Sequence, residues 1–141
     1  VNSRWNLPRT VEQIRHIASY SDSLMYLGDD GISQISALSG SGVAEEVLIF
    51  ADPPYVGPGN RLYQKGMDEQ AHRDLASALL NCGAHWALAY DDAPLVRELY
   101  AGCEIEPYLL RHTANKSKDG QELLIFGQDT IGAPVELGAA G

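Results

Sequence analysis

Residues 47–55 read VLIFADPPY, an apolar run that ends in an acid, two prolines and an aromatic residue. A continuous apolar run of this length is typical of a buried strand in a parallel sheet. Pro53 and Pro54 donate no backbone hydrogen bond and have a fixed φ, so the strand must stop before them with its carbonyl groups pointing outward. In open α/β sheets the ligand crevice lies beyond the carboxyl ends of the strands. We therefore expect Asp52 and Tyr55 to face such a crevice.

The chemistry of this turn suits methyl transfer to an exocyclic amine. The amino nitrogen of adenine is a poor nucleophile because its lone pair is delocalised into the ring. Acceptors on its two N–H groups, here the Asp52 carboxylate and the Pro53 carbonyl, would free the lone pair, and the Tyr55 ring would stack on the base. A hydrogen bond to a charged group contributes about 1.5–3 kcal/mol, which is a rate factor of about ten to a hundred. The alternative is a strand-terminating turn with Tyr55 packed as a lid.

Strands and helices alternate along the rest of the chain, which predicts an α/β fold with a parallel sheet. In chain order the predicted elements are a helix over residues 10–20, a strand over 24–27, a helix over 32–38, a strand over 47–51, a helix over 68–82, a strand over 85–90, a helix from 94 to about 101, and strands over 105–111 and 122–126. Residues 1–127 are expected to form one unit, and the Gly- and Ala-rich residues 128–141 a mobile tail.

Several polar residues near these elements have structural explanations. We expect Thr10 to be a helix N-cap, and we expect Asp91 and Asp92 to be N-caps rather than acid catalysts. Gly83 is expected to end the third helix. His72 stands alone on a predicted helix, where a histidine is expected to pack or cap.

The order of motifs resembles that of the Dam-like (D12 class) adenine-N6 DNA methyltransferases, whose signature tetrapeptide is DPPY. Coverage runs from about residue 4 to residue 127, and the later motifs are Gly57, Leu62-Tyr63, His72, residues 86–92 (WALAYDD), Leu99-Tyr100 and residues 122–126 (ELLIF). The resemblance implies a partial Rossmann-like, S-adenosylmethionine-dependent methyltransferase fold, a parallel sheet whose antiparallel last strand inserts beside the fifth strand. Related tetrapeptides occur in enzymes that methylate cytosine N4, RNA bases or a glutamine side chain, so an RNA or protein-amide substrate stays open.

The resemblance also implies site residues, a cofactor and a partner. The cofactor is S-adenosyl-L-methionine, and the partner is DNA with the target adenine flipped out of the duplex. Asp30 and Asp52 are expected near the cofactor, although Asp30 has the alternative of capping a helix. The catalytic residues are Asp52, Pro53, Pro54 and Tyr55, and the nucleic-acid contacts are Arg61, Tyr63, Lys65, Arg111, Lys116 and Lys118.

Part of the family pattern is missing before Asp52. Family members begin with a Phe-x-Gly-x-Gly-type loop around the methionine end of the cofactor and have a target-recognition domain. The chain is therefore expected to be the catalytic half, with residues 47–51 forming an open hydrophobic edge that pairs with an upstream methyltransferase segment or with a second copy. The competing hypothesis is a non-catalytic remnant or interaction module of phage or mobile-element origin. A restriction-modification role and an orphan role both stay open.

Composition limits these readings only modestly. The 141 residues suit one domain. The net charge of −9, from 10 basic and 19 acidic residues, opposes DNA binding unless two predicted basic loops outweigh it, one with Arg61 and Lys65 and the other with Arg111, Lys116 and Lys118. No apolar run is long enough for a membrane span and no leader peptide is recognisable, so a cytoplasmic setting is expected. Cys82 and Cys103 are expected to be reduced core residues, and no metal site is expected.

Overall fold

A computed structural model describes residues 6–28, 30–56, 66–110 and 120–127 of the chain. These residues form a mixed α/β fold, and the predicted tail over residues 128–141 lies outside them. None of the described helices is long and apolar enough to cross a membrane. The helices are α1 (Leu7–Ala18), α2 (Gly31–Leu38), α3 (Glu69–Asn81) and α4 (Pro94–Leu99), and the strands are β1 (Leu48–Ala51), β2 (His85–Asp91), β3 (Glu104–Leu110) and β4 (Gly120–Phe126).

The four strands form one sheet in the order β1-β2-β4-β3. β1 and β2 are parallel, with Leu48 opposite His85, and α3 provides the crossover that a parallel pair requires. β4 is antiparallel to both β2 and β3, so β1, β2 and β3 all run in the same direction. The expected α/β class is therefore shown, with a mixed sheet in which β1 and β2 are parallel and the last strand, β4, is antiparallel to both of its neighbours.

One side of this sheet, the covered face, packs against α2, α3 and α4. Successive side chains of a strand point to opposite sides, and paired residues on neighbouring strands share a side. The buried cluster includes Leu75 and Leu79 of α3 and Val96 of α4. The sheet residues of the covered face are Ile49, Ala51, Trp86, Leu88, Tyr90, Leu123 and Ile125.

The opposite side of the sheet, the open face, has exposed apolar residues at its β1 edge. Leu48 and Phe50 alternate with the core residues of β1 and are 70% and 67% exposed. The register places Ala87, Phe126 and Glu104 in a row with Phe50 across the sheet. The next rows contain Ala89, Leu124 and Glu106, and then Asp91, Glu122 and Tyr108.

α3 is the most predictable helix because its ends carry strong local signals. Asp68 is its N-cap and accepts a hydrogen bond from the backbone N–H of Ala71 at 2.8 Å. The helix ends at Asn81, and Gly83 follows with a φ of 73°, a conformation that glycine adopts without steric cost. Leu75 and Leu79, one turn apart, are buried and form the core-facing side of this helix.

Three predicted helix caps are wrong. α1 begins three residues before Thr10, and its N-cap is Asn6, which accepts from the backbone N–H of Arg9 at 3.2 Å. Pro8 favours this earlier start because a proline in the first turn loses no hydrogen bond. Asp91 lies within β2, and the N-cap position of α4 is Ala93, with no side-chain cap.

Asp92 is not a cap because it binds a cation instead. Its carboxylate accepts from Arg97 at 2.6 Å (Nε to Oδ1) and 2.9 Å (Nη2 to Oδ2). This ion pair joins a residue two positions before α4 to the last turn of the helix, and the hydrogen bonds from Arg97 lower the pKa of Asp92.

The strand predicted over residues 24–27 is also wrong. These residues, LMYL, have no regular secondary structure, and Met25 and Tyr26 are among the most exposed hydrophobic residues described. β-Propensity alone does not make a strand, since a strand needs a neighbour to bond its N–H and C=O groups. The two cysteines, Cys82 and Cys103, are free, as expected.

Candidate functional site

The predicted catalytic turn lies where expected, directly after the carboxyl end of β1. β1 ends at Ala51, and residues 52–56 continue without regular structure to the described limit of this segment. Two bonds draw the turn across the sheet. The backbone N–H of Val56 donates to Asp91 Oδ1 on β2 at 3.0 Å, and the Tyr55 hydroxyl donates to Glu122 Oε1 on β4.

Glu122 is the central side chain of this arrangement. It is only 5% exposed, although it is a carboxylate on the open face of the sheet. Its second oxygen, Oε2, accepts from the hydroxyl of Tyr108 on β3 at 2.6 Å. Each carboxylate oxygen therefore has one phenol donor, which satisfies a buried charge that would otherwise be costly.

Charges and burial around Glu122 keep both phenols protonated. Burial, the hydrogen bond to Glu122 and the negative charges of Glu122 and Asp52 raise the pKa of Tyr55 well above its ordinary value. The same causes raise the pKa of Tyr108 to about 12. Both hydroxyls are consequently donors at any physiological pH. The negative charge of Asp52 contributes to the raised pKa of both tyrosines.

Asp52 differs from Glu122 in being accessible. Its side chain is exposed, and none of the hydrogen bonds within the described segments uses its carboxylate. Pro53 and Pro54 are half-buried behind it. The arrangement therefore combines an exposed carboxylate acceptor, a backbone that cannot donate at either proline, and an aromatic ring whose hydroxyl is bound to Glu122.

His72, on α3, lies against the covered face of the sheet. It is 2% exposed, and its Nδ1 shares a hydrogen bond with the hydroxyl of Tyr90 on the covered face. Burial lowers the pKa of His72, against the opposing charges of Asp91 and Asp68. The prediction that His72 is a packing residue is confirmed.

Asp30 caps α2, the alternative that the sequence left open. Its carboxylate accepts from Ser33 at 3.0 Å (backbone N) and 2.7 Å (Oγ), and these bonds lower the pKa of Asp30. Asp30 also borders an open cavity of about 530 Å³ between α2 and α3. The residues that line this cavity include neither Asp52 nor Tyr55, so the two acids predicted near the cofactor do not share it.

The six residues that were predicted to contact nucleic acid belong to segments that the structure does not describe. Arg61, Tyr63, Lys65, Arg111, Lys116 and Lys118 lie outside the described residues.

Sequence reasoning missed Glu122 and Tyr108 as site residues. The sequence did contain a signal for Glu122. This acid directly precedes the apolar run LLIF, just as Asp52 directly follows the apolar run VLIFA. Tyr108 carried no comparable signal, since its role depends on the pairing of β3 with β4.

No model of a known protein family matches the sequence, and no curated protein matches it significantly. Within the described segments there is no group of three or more His, Cys, Asp or Glu side chains that could hold a metal ion. Function therefore has to be inferred from the chemistry of the site itself.

Proposed function

We propose that this chain supplies the catalytic half of an S-adenosylmethionine-dependent methyltransferase acting on N6 of adenine in DNA. The observation that supports the proposal best is the exposed Asp52 carboxylate at the carboxyl end of β1, three residues before a tyrosine whose hydroxyl is bound to Glu122. The strand order, with its inserted antiparallel last strand, is compatible with part of a Rossmann-like methyltransferase fold.

In this proposal the turn binds an adenine flipped out of the duplex, since a stacked base cannot reach Asp52. The Asp52 carboxylate and the Pro53 carbonyl each accept one N–H of the amino group, which localises the nitrogen lone pair. Bound S-adenosylmethionine would supply the methyl group, and the S–C electron pair would stay on sulfur as the N–C bond forms. Asp52 then accepts the proton that the methylated nitrogen releases and passes it to solvent.

The described residues fit this cofactor only in part. The exposed carboxylate of Asp52 suits the positive charge near the methionine end of the molecule. None of the described residues between a strand and the following helix forms a glycine-rich turn into the helix N-terminus, the usual device for binding such groups. We therefore propose that an upstream methyltransferase segment completes the cofactor site, and we expect these residues alone to bind S-adenosylmethionine no tighter than about micromolar.

The test is methyl transfer from labelled S-adenosylmethionine to duplex DNA by the full-length natural polypeptide that contains these residues. Asp52→Ala should lower the rate at least about tenfold, because it removes a charged acceptor. Glu106→Ala is the matched control, since Glu106 is exposed on the same side of the sheet, and it should leave the rate unchanged. Nucleoside analysis of the product should give N6-methyldeoxyadenosine. N4-methylcytosine in its place, or methyl transfer to RNA or to a protein amide instead of DNA, would contradict adenine as the substrate.

A second candidate function, a non-catalytic interaction module, is favoured by the apolar β1 edge. Leu48 and Phe50 are two-thirds exposed on an edge strand, and such edges pair with other chains. If this candidate is correct, the protein shows no methyl transfer but self-associates in sedimentation velocity, and Phe50→Asp returns it to a monomer. Transfer activity with a Phe50→Asp variant of unchanged mass would reject it.

A further inference from the structure

Among the described residues, the buried carboxylate of Glu122 on the open face has no cationic partner, which is unusual for a buried acid. His72 and Glu122 are the buried polar or charged side chains in the described segments. Within the described segments, the partners of Glu122 are the phenols of Tyr55 and Tyr108, and neither a lysine nor an arginine contacts it. A well-packed apolar residue would serve stability at least as well, since burying a charge costs free energy that hydrogen bonds only offset. The carboxylate therefore needs an explanation beyond packing.

The geometry around Glu122 indicates what it positions. Asp91 and Glu122 are paired residues on neighbouring strands, β2 and β4. Asp91 binds the backbone N–H of Val56, and Glu122 binds the side chain of the residue before it, Tyr55. The turn after β1 is thus attached to the sheet through two consecutive residues, one by its main chain and one by its ring. Together these two bonds restrict both the position and the rotation of the Tyr55 ring relative to Asp52.

We propose that Glu122 is a positioning residue. Its carboxylate accepts from the hydroxyls of both Tyr55 and Tyr108, and it thereby fixes the Tyr55 ring so that a flat aromatic group bound at Asp52 can stack on it. That this group is adenine rests on the proposed function. Tyr108 holds the second oxygen of Glu122, so that the carboxylate cannot rotate away from Tyr55. Neither Glu122 nor Tyr108 needs to touch the substrate.

The first test concerns the ring itself and is independent of any ligand. The protein is labelled with ¹³C in its tyrosine rings, and the ring signals and ring-flip rate of Tyr55 are compared by NMR in wild type, Glu122→Gln and Tyr108→Phe. Glutamine keeps the size of the side chain but can accept only through one oxygen. We expect the Tyr55 signals to shift and its ring flips to accelerate in Glu122→Gln, with a smaller change in the same direction in Tyr108→Phe. Unchanged Tyr55 signals in both folded variants would overturn the proposal.

The second test measures the consequence for binding with a double-mutant cycle. The probe is a single-stranded oligodeoxynucleotide that carries 2-aminopurine, an adenine analogue whose fluorescence is quenched by stacking. Tyr55→Phe and Glu122→Gln should each weaken probe binding by about tenfold at most, because part of a base–aromatic stack is lost. The double variant should be no weaker than the weaker single one, because both changes act on the same contact between the Tyr55 hydroxyl and residue 122.

The outcomes separate this inference from the proposed function. Losses that multiply in the double variant would show that Glu122 acts independently of the Tyr55 hydroxyl and would reject the positioning role. If the Tyr55 signals change in Glu122→Gln but the wild-type protein does not bind the probe, the positioning role of Glu122 stands and the adenine site is rejected. If Glu122→Gln does not fold, the Tyr108→Phe variant carries both measurements, since Glu122 then keeps one donor.

Discussion

The two faces of the sheet have opposite relations to solvent. On the covered face Leu88, Leu123 and Ile125 are fully buried under the helices. On the open face Leu48 and Phe50 remain two-thirds exposed, and the buried group nearest the candidate site is a carboxylate. The difference teaches that stability and chemistry are separated in this protein. The covered face provides the hydrophobic core, and the open face provides the acceptors, the aromatic rings and an apolar edge.

The largest difference in stability is expected between two leucine truncations, one on the covered face and one on the open face. Leu88→Ala should lower the free energy of unfolding by about 2–5 kcal/mol, because it removes buried contacts and leaves a cavity. Leu48→Ala should change it by less than about 0.5 kcal/mol, since the side chain is 70% exposed. Urea denaturation of the two variants measures both values. A Leu48→Ala cost that approaches that of Leu88→Ala would mean that the open face is covered in solution.

A smaller effect is expected from adding one methyl group beside the core tryptophan. A Cβ on Gly127 would lie 2.7 Å from Nε1 of Trp86, closer than real contacts allow. Gly127→Ala should therefore destabilise the protein by about 1–3 kcal/mol through overpacking. Gly102→Ala is the control, because a Cβ there meets nothing within 4 Å and should be neutral or slightly stabilising. Equal melting temperatures for the two variants would contradict the tight packing of Trp86.

Removing buried hydroxyls from the covered face should have a more modest effect. Tyr90→Phe should cost about 1–2 kcal/mol, because it deprives the buried Nδ1 of His72 of its hydrogen-bond partner. Tyr100→Phe should be neutral or stabilising, since its buried hydroxyl has no partner among the described residues. Chemical denaturation of the pair checks this, and the prediction fails if Tyr100→Phe is the more damaging change.

The smallest effect expected is a pH dependence from His72. Burial lowers the pKa of His72 in the folded protein, so below its ordinary value of 6.5 the unfolded chain binds the proton more readily. Stability is then present above that value and declines as the pH falls toward the lowered folded pKa, by less than about 1 kcal/mol at pH 6. Denaturation curves between pH 7.5 and about 5 should be flatter for His72→Gln. An equal slope in that variant would assign the pH dependence to other groups.

The parts of the fold that sequence reasoning predicted are those with local causes. An apolar run stopped by two prolines places the turn after β1, and an Asp68 cap with a Gly83 terminator defines α3 within a residue or two. The wrong predictions concern residues whose structure depends on which partner they bind in the fold. Asp92 binds Arg97 instead of capping α4, and residues 24–27 have strand propensity but no neighbouring strand in the described part of the chain.

The candidate site was predictable only as far as the turn itself. Asp52 and Tyr55 follow from the tetrapeptide, whereas the partner of the Tyr55 hydroxyl lies 67 residues further along the chain. Tyr108 reaches the same carboxylate from 14 residues away through the pairing of β3 with β4. Which side chains meet at a sheet edge depends on strand order and register, and neither can be deduced from residue types alone.

The long sequence separation between Tyr55 and Glu122 has a consequence for the order of folding. β3 and β4 are consecutive strands that pair directly, while β1 must reach β2 across the whole of α3. Loop closure costs more entropy as the loop lengthens, so local pairs form earlier on average than distant ones. We expect the β3–β4 pair to form early and the bond from Tyr55 to Glu122 to close late. A refolding chain would then acquire its secondary structure before its binding site, and the site would report the final step of assembly.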